Sequence, residues 1–248
     1  MRGLRRERTR HARIESGDTT TVRLGNSVRF HRAPATHFRF TPRDDHTVTS
    51  STNNTKTFAD PAQADFAALQ AHCAVGERVY CTGVTGPPSA GWALVGEGLL
   101  RKMVWETPLP AEEPVAQGEL ALQRLGAEHL LQILALVELT QPGPFGPRTI
   151  ELGDYFGCFE GERLVAMAGE RMHAPPLREV SGVCTHPDAR GHGLARRLML
   201  HLVRREMHRG ETPFLHVMSA NIAAHALYLR MGFVDRLEVP VRVVSRSA

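Results

Sequence analysis

Residues 188–203 read DARGHGLARRLMLHLV, two glycines and an alanine crowded in front of a strongly amphipathic helix. Leu194, Ala195, Leu198, Met199, Leu202 and Val203 recur at helical spacing and make one apolar face, while Arg196, Arg197, Arg204, Arg205 and His208 face away. A helix of this kind packs on a sheet. The amides of its first turn have no intrahelical partners and carry the positive end of the helix dipole, so they bind an anion that can approach the backbone. Gly191, Gly193 and Ala195 remove the side chains that would block such an approach. The stretch reads as a seat for a pyrophosphate; a flexible turn before an ordinary surface helix is the plainer reading of the same letters.

Other phosphate loops fail on these residues. A P-loop requires GxxxxGK[ST], and no such run exists in the chain. A dinucleotide-binding turn requires GxGxxG and an acid at the end of the next strand. Here the third glycine position is Arg196, and Glu211 precedes the next apolar strand, FLHVM at 214–218, instead of following it.

Working outward, REVSGVCTHP (178–187) is a strand ended by Pro187, and NIAAHALYLRM (221–231) is a second helix. YFGCFEGERLVAMAGERM (155–172) forms two strands joined at Glu160-Gly161-Glu162, and AEHLLQILALVEL (127–139) has helical spacing. A last strand lies around LEVPVRVV. Upstream, DPAQADFAALQAH predicts a helix with Asp60 as N-cap and Pro61 in its first turn, followed by strands at 79–81, 92–95 and 99–105. The proline-rich TPLPAEEP (107–114) is the candidate boundary. It separates a small N-terminal α/β region, 59–110, from a mixed α/β domain, 115–248.

The strand and loop REVSGVCTHPDARGHGLA resemble those of the GNAT superfamily of acetyl-CoA-dependent N-acetyltransferases, whose [QR]-x-x-G-x-[GA] signature is matched by Arg190, Gly193 and Ala195. NIAAHALYLRMGF (221–233) matches a second element of that superfamily, N-x-x-A-x-x-x-Y-x-x-x-G-F. The resemblance covers about 115–244. It implies a mixed, mostly antiparallel sheet flanked by helices, with the co-substrate acetyl-CoA in a split between the strand at 179–186 and the strand at 214–218.

Acetyl transfer to a primary amine starts from an activated thioester, so the protein needs no nucleophile. It must hold the thioester, take a proton from the attacking ammonium, polarise the carbonyl and protonate the thiolate. The resemblance puts the pyrophosphate on the backbone of Arg190, Gly191, His192, Gly193, Leu194, Ala195 and Arg196, and the pantetheine beside Val183, Cys184 and Thr185, with the Cys184 amide on the carbonyl. Asn221 and Ala224 would meet the pantetheine arm, and Asn221 equally suits a helix N-cap. Glu179, eleven residues before Arg190, sits where several relatives carry a catalytic glutamate; a solvated carboxylate is the alternative. Glu170 and His173 are reserves. Tyr228, two helical turns after Asn221, would protonate the thiolate, or is simply a core aromatic. Cys184 lacks a basic partner for an acetyl-cysteine route, and His186 beside Pro187 suits a turn-stabilising role.

Composition bounds the rest. The 248 residues, 42% hydrophobic, suffice for a substantial core. Their thirteen histidines show no ligand spacing, so no metal is expected. Four separated cysteines suggest neither zinc nor a disulfide framework, which fits a reducing cytoplasm. No apolar run reaches the roughly 20 residues of a membrane span, and MRGLRRERTRHAR lacks a secretory core. Residues 1–58 carry twelve basic against five acidic side chains and few large apolar ones, and are read as a disordered basic extension. The remainder is slightly acidic, so neither nucleic acid nor membrane is an expected partner. A non-catalytic acyl-CoA-binding regulatory module remains an alternative. Amino acids, polyamines, antibiotics and protein amines are all compatible acceptors, and no oligomeric state follows from the sequence.

Overall fold

The computed structural model describes residues 49–50, 55–57, 64–112 and 120–248. Apart from two short strands, the basic extension lies outside the described residues, as do Asp60 and Pro61. Within the described part the first helix, α1 (Phe66–Gln70), is capped by Asp65, whose side chain accepts from the Ala68 amide. The cap of this helix thus lies five residues beyond the one expected from sequence.

The strands are β1 (Thr49–Ser50), β2 (Thr55–Thr57), β3 (Arg78–Thr82), β4 (Trp92–Trp105), β5 (Leu122–Leu125), β6 (Tyr155–Glu160), β7 (Arg163–Ala174), β8 (Leu177–Thr185), β9 (Thr212–Met218) and β10 (Phe233–Arg246). The longer helices are α2 (Leu130–Thr140), α3 (Leu194–His208) and α4 (Ile222–Met231). Among the described residues the strands form one sheet in the order β1-β2-β3-β10-β4-β9-β8-β7-β6-β5. Neighbours are antiparallel except β2–β3 and β8–β9. This is the mixed, mostly antiparallel sheet flanked by helices that the resemblance implies. The stretches 92–95 and 99–105, read separately from sequence, are one strand of 14 residues, because β10 pairs with it along its whole length. β4 therefore joins the N-terminal residues to the sheet's centre, while β5, after the 107–114 stretch, begins again at its far edge.

Neighbouring side chains of a strand point to opposite faces, and the buried clusters show which helix covers which. Phe156, Ala166, Ala168, Val180, Leu215 and Val217 pack with α3 and with Tyr228 of α4. Tyr155, Met167 and Cys184 pack with Ile133, Leu136 and Val137 of α2 on the other face. Of the apolar face that the periodicity predicts, Leu194, Leu198, Met199, Leu202 and Val203 are buried, joined by Leu200, while Ala195 is only half-buried. Each such side chain contributes about 1.5–3 kcal/mol. Phe66, Leu69, Val79, Cys81, Trp92 and Val244 make a separate cluster around α1.

Candidate active site

The site begins where the two parallel strands part. β8 and β9 are paired only at Leu177–Thr212, Arg178–Pro213 and Glu179–Phe214. Beyond Glu179, β8 keeps its partner β7 and β9 keeps its partner β4, so a wedge opens between them. Gly182 lies at the start of the wedge with φ +62, inside a register shift that sets Gly169 opposite Ser181 and Met167 opposite Cys184. This is a β-bulge, and it bends β8 away from β9 while reversing which face later side chains occupy. The left-handed backbone favours glycine there, and a Cβ at Gly182 would also crowd the Tyr155 ring at 3.1 Å. A lone glycine within an apolar strand was the sequence signal for it.

Past the wedge the chain makes a 3-10 turn at Pro187–Ala189, with the His186 ring accepting from the Asp188 amide at 3.2 Å. Arg190 Nε donates to the Thr185 carbonyl at 3.4 Å, and His192 Nδ1 lies 3.3 Å from the Ala189 carbonyl. Gly191 and Gly193 have φ of +83 and +73, and a Cβ on either would meet no protein atom within 4 Å. No side chain caps α3 at Gly193. The glycines are needed for their left-handed backbone, and they leave the approach to Leu194, Ala195 and Arg196 open. This arrangement fits an anionic pyrophosphate, and Val183, Cys184 and Thr185 form the strand edge leading up to it.

On the α4 side, Asn221 Oδ1 accepts from the Ala224 amide at 3.1 Å, which is the N-cap role. Tyr228 is 8% exposed and packs edge-on against Phe233, their centroids 6.2 Å apart. Burial pushes its hydroxyl up to about 12, so it stays protonated at neutral pH. Cys184 lies on the opposite face, where burial raises its thiol to about 11 despite a hydrogen bond with Thr140. A thiol so held is no nucleophile.

Glu179 is 1% exposed, far from the solvated carboxylate that was one sequence reading. Arg171 Nη2 donates to its Oε1 at 2.7 Å and Nε to its Oε2 at 2.9 Å, while His216 Nδ1 lies 2.8 Å from Oε1. Burial alone would raise its pKa, but the Arg171 guanidinium and the His216 hydrogen bond outweigh this and hold it at about 2. Lys102, the register partner of His216 on β4, lies with its ammonium 4.7 Å from the Phe214 ring centroid, and burial lowers its pKa. Sequence reasoning did not find Arg171 or His216. The histidine in FLHVM was their signal, since a polar ring in an apolar strand needs a partner.

The reserve residues fall elsewhere. Glu170 is bound by Arg209 at 2.6 Å, and His173 lies 3.1 Å from Glu211, in an ion-pair cluster with Arg178. No group of side chains suited to a metal ion occurs among the described residues, and no helix among them is long and apolar enough to cross a membrane.

The acetyltransferase (GNAT) family model matches residues 135–233. A solved GNAT-family structure from Novosphingobium aromaticivorans is 32% identical, with 79% of this chain and 85% of that chain covered and a TM-score of 0.69. Two more distant structures share the fold. A Drosophila protein is 16% identical over 81% of this chain and 73% of its own, with a TM-score of 0.57. A GCN5-related N-acetyltransferase-like protein from Streptococcus suis is 14% identical over 81% and 82%, with a TM-score of 0.53. No curated protein matches the chain by sequence.

Proposed function

Because this chain belongs to the GNAT family of acetyltransferases, we infer that it transfers the acetyl group of acetyl-CoA directly to a primary amine. The observation that carries this reading is the wedge: β8 and β9 part beyond Glu179 and Phe214, and the uncapped N-terminus of α3 stands at its end. The pantetheine would lie along Val183, Cys184 and Thr185 as an added strand, with the Cys184 amide on the thioester oxygen. The pyrophosphate would rest on the backbone of Arg190 to Arg196, taking in Gly191, His192, Gly193, Leu194 and Ala195. Asn221 and Ala224 would flank the pantetheine arm.

The acceptor would approach from the face covered by α2. A cavity of about 440 Å³ there is lined by Arg78, Tyr80, Val137, Glu138 and Phe145. Phe145 stacks edge-on against Tyr155, and both rings lie beside Gly182 at the bulge. Arg78 and Tyr80 come from β3, so the N-terminal region, 59–110, would form one wall of the acceptor site. The amine would lose its proton toward Glu179 and His216. Its nitrogen then attacks the thioester carbon, the C–N bond forms as the C–S bond breaks, and the departing sulfur takes a proton with help from Tyr228. The four cysteines are buried and none is joined in a disulfide, which supports a reducing compartment such as the cytoplasm.

Calorimetric titration of the full chain with CoA and acetyl-CoA, followed by thiol release across amino acids, polyamines and peptides, tests this. Binding with thiol release on one amine class supports the enzyme. Binding without release on any class favours a non-catalytic acyl-CoA module, and no binding removes both.

A further inference from the structure

We propose that the proton of the attacking amine is taken by Nε2 of His216, with Glu179 and Arg171 as positioning residues that orient its ring. The inference rests on the acetyltransferase reading and deepens it. Glu179 is ill placed to act alone: it is buried, and both of its oxygens accept from Arg171. Its Oε1 also lies 2.8 Å from His216 Nδ1. An ionised carboxylate only accepts, so this contact requires a proton on Nδ1. In the neutral ring the lone pair then resides on Nε2.

His216 stands two residues beyond Phe214, the last β9 residue paired with β8, at the mouth of the wedge. Phe214 fixes its plane edge-on at 5.5 Å between centroids, and the His216 side chain is 19% exposed where Glu179 is 1%. The charged and titratable groups around this pair are Lys102 on β4, Arg171 on β7 and Tyr155 one strand further on, on β6. Arg171 neutralises Glu179 but leaves it able to stabilise an imidazolium. The proton balance closes. An ammonium gives one proton to Nε2 and becomes a neutral amine; after attack the nitrogen sheds a second proton to the thiolate. The imidazolium then releases its proton to water, giving amide, thiol and one proton.

The test uses the full chain with acetyl-CoA and, as acceptor probes, glycine, spermidine and benzylamine. His216→Ala is expected to lower kcat by about a hundredfold or more and to remove the acid limb of its pH profile. Its CoA affinity should stay within about twofold of wild type, and added imidazole should restore turnover, which repair of packing would not do. Glu179→Gln should lower kcat by about tenfold while keeping the acid limb and the CoA affinity, because the ring loses the carboxylate that orients it. An unchanged acid limb in folded His216→Ala overturns the assignment. If none of the probes turns over, nitrogen-15 NMR of the CoA-bound chain decides at about pH 8. A proton on Nδ1 with Nε2 bare supports the proposal, and a proton on Nε2 overturns it. Failure of CoA to bind in calorimetry overturns the acetyltransferase reading beneath it.

Discussion

Arg171 and Glu179 are locked together by two parallel hydrogen bonds, 2.7 and 2.9 Å long, with 10% and 1% of their side chains exposed. The fork geometry satisfies both carboxylate oxygens and fixes their direction toward β9. The pair contributes order more than net stability, because desolvating two charges offsets most of their attraction.

Removing one partner should therefore cost far more than removing both. Arg171→Met strands a buried carboxylate and is expected to destabilise the fold by about 3–5 kcal/mol, read from the urea midpoint. The double variant Arg171→Met with Glu179→Leu should recover most of that loss. Equal destabilisation in both variants would show that packing, not charge, sets the cost.

Acid should act through the same carboxylate. Its folded pKa, about 2, lies below the ordinary glutamate value, so its stabilisation is present in full above about pH 5 and is lost as pH falls toward 2. The acid unfolding of wild type should show this window, and the double variant should lack its share of it.

Glu206 should work in the opposite direction. It is fully buried on α3, neither carboxylate oxygen has a hydrogen-bond partner, and burial, with Glu170 nearby, raises its pKa to about 9. Its neutral form is favoured in the fold, so its burial costs least below about pH 4 and costs progressively more as pH rises toward 9. Glu206→Gln should flatten that dependence and gain about 1–3 kcal/mol at neutral pH, measured by denaturation across pH. An unaltered pH slope would contradict the assignment.

The phosphate seat can be separated from backbone strain. Gly193 and Gly210 have φ of +73 and +74, and both have open space where a Cβ would stand. Valine at either position should cost stability through the left-handed backbone. Only Gly193→Val should also weaken CoA binding, by about tenfold or more, since it alone covers the first amides of α3. Calorimetry of the two variants side by side gives the answer.

For Tyr228→Phe the expectation is a fall in kcat of about tenfold to a hundredfold with the CoA dissociation constant unchanged. A hydroxyl raised to about 12 stabilises a thiolate as a hydrogen-bond donor more readily than it parts with its proton. Unaltered kcat would leave the residue with its place beside Phe233 in the core and nothing more.

The sequence alone determined the elements built from local rules. The apolar face of α3, the open, glycine-bearing approach to its first turn, the Asn221 cap and the strand ended by Pro187 all follow from periodicity and residue preference over a few residues, while the left-handed backbone of Gly191 and Gly193 is a finding of the structure. They indicated a mixed α/β chain, and the resemblance of two motifs to the GNAT superfamily supplied the fold. What lay beyond them depended on contacts between residues far apart in the chain. The 14-residue length of β4 comes from its pairing with β10, and the wedge comes from where β8 and β9 cease to pair. The company of Glu179 was likewise hidden: its partners lie 8 and 37 residues away on neighbouring strands. A carboxylate's proton affinity is set by the charges and water around it, and only the folded sheet brings Arg171 and His216 there while excluding solvent.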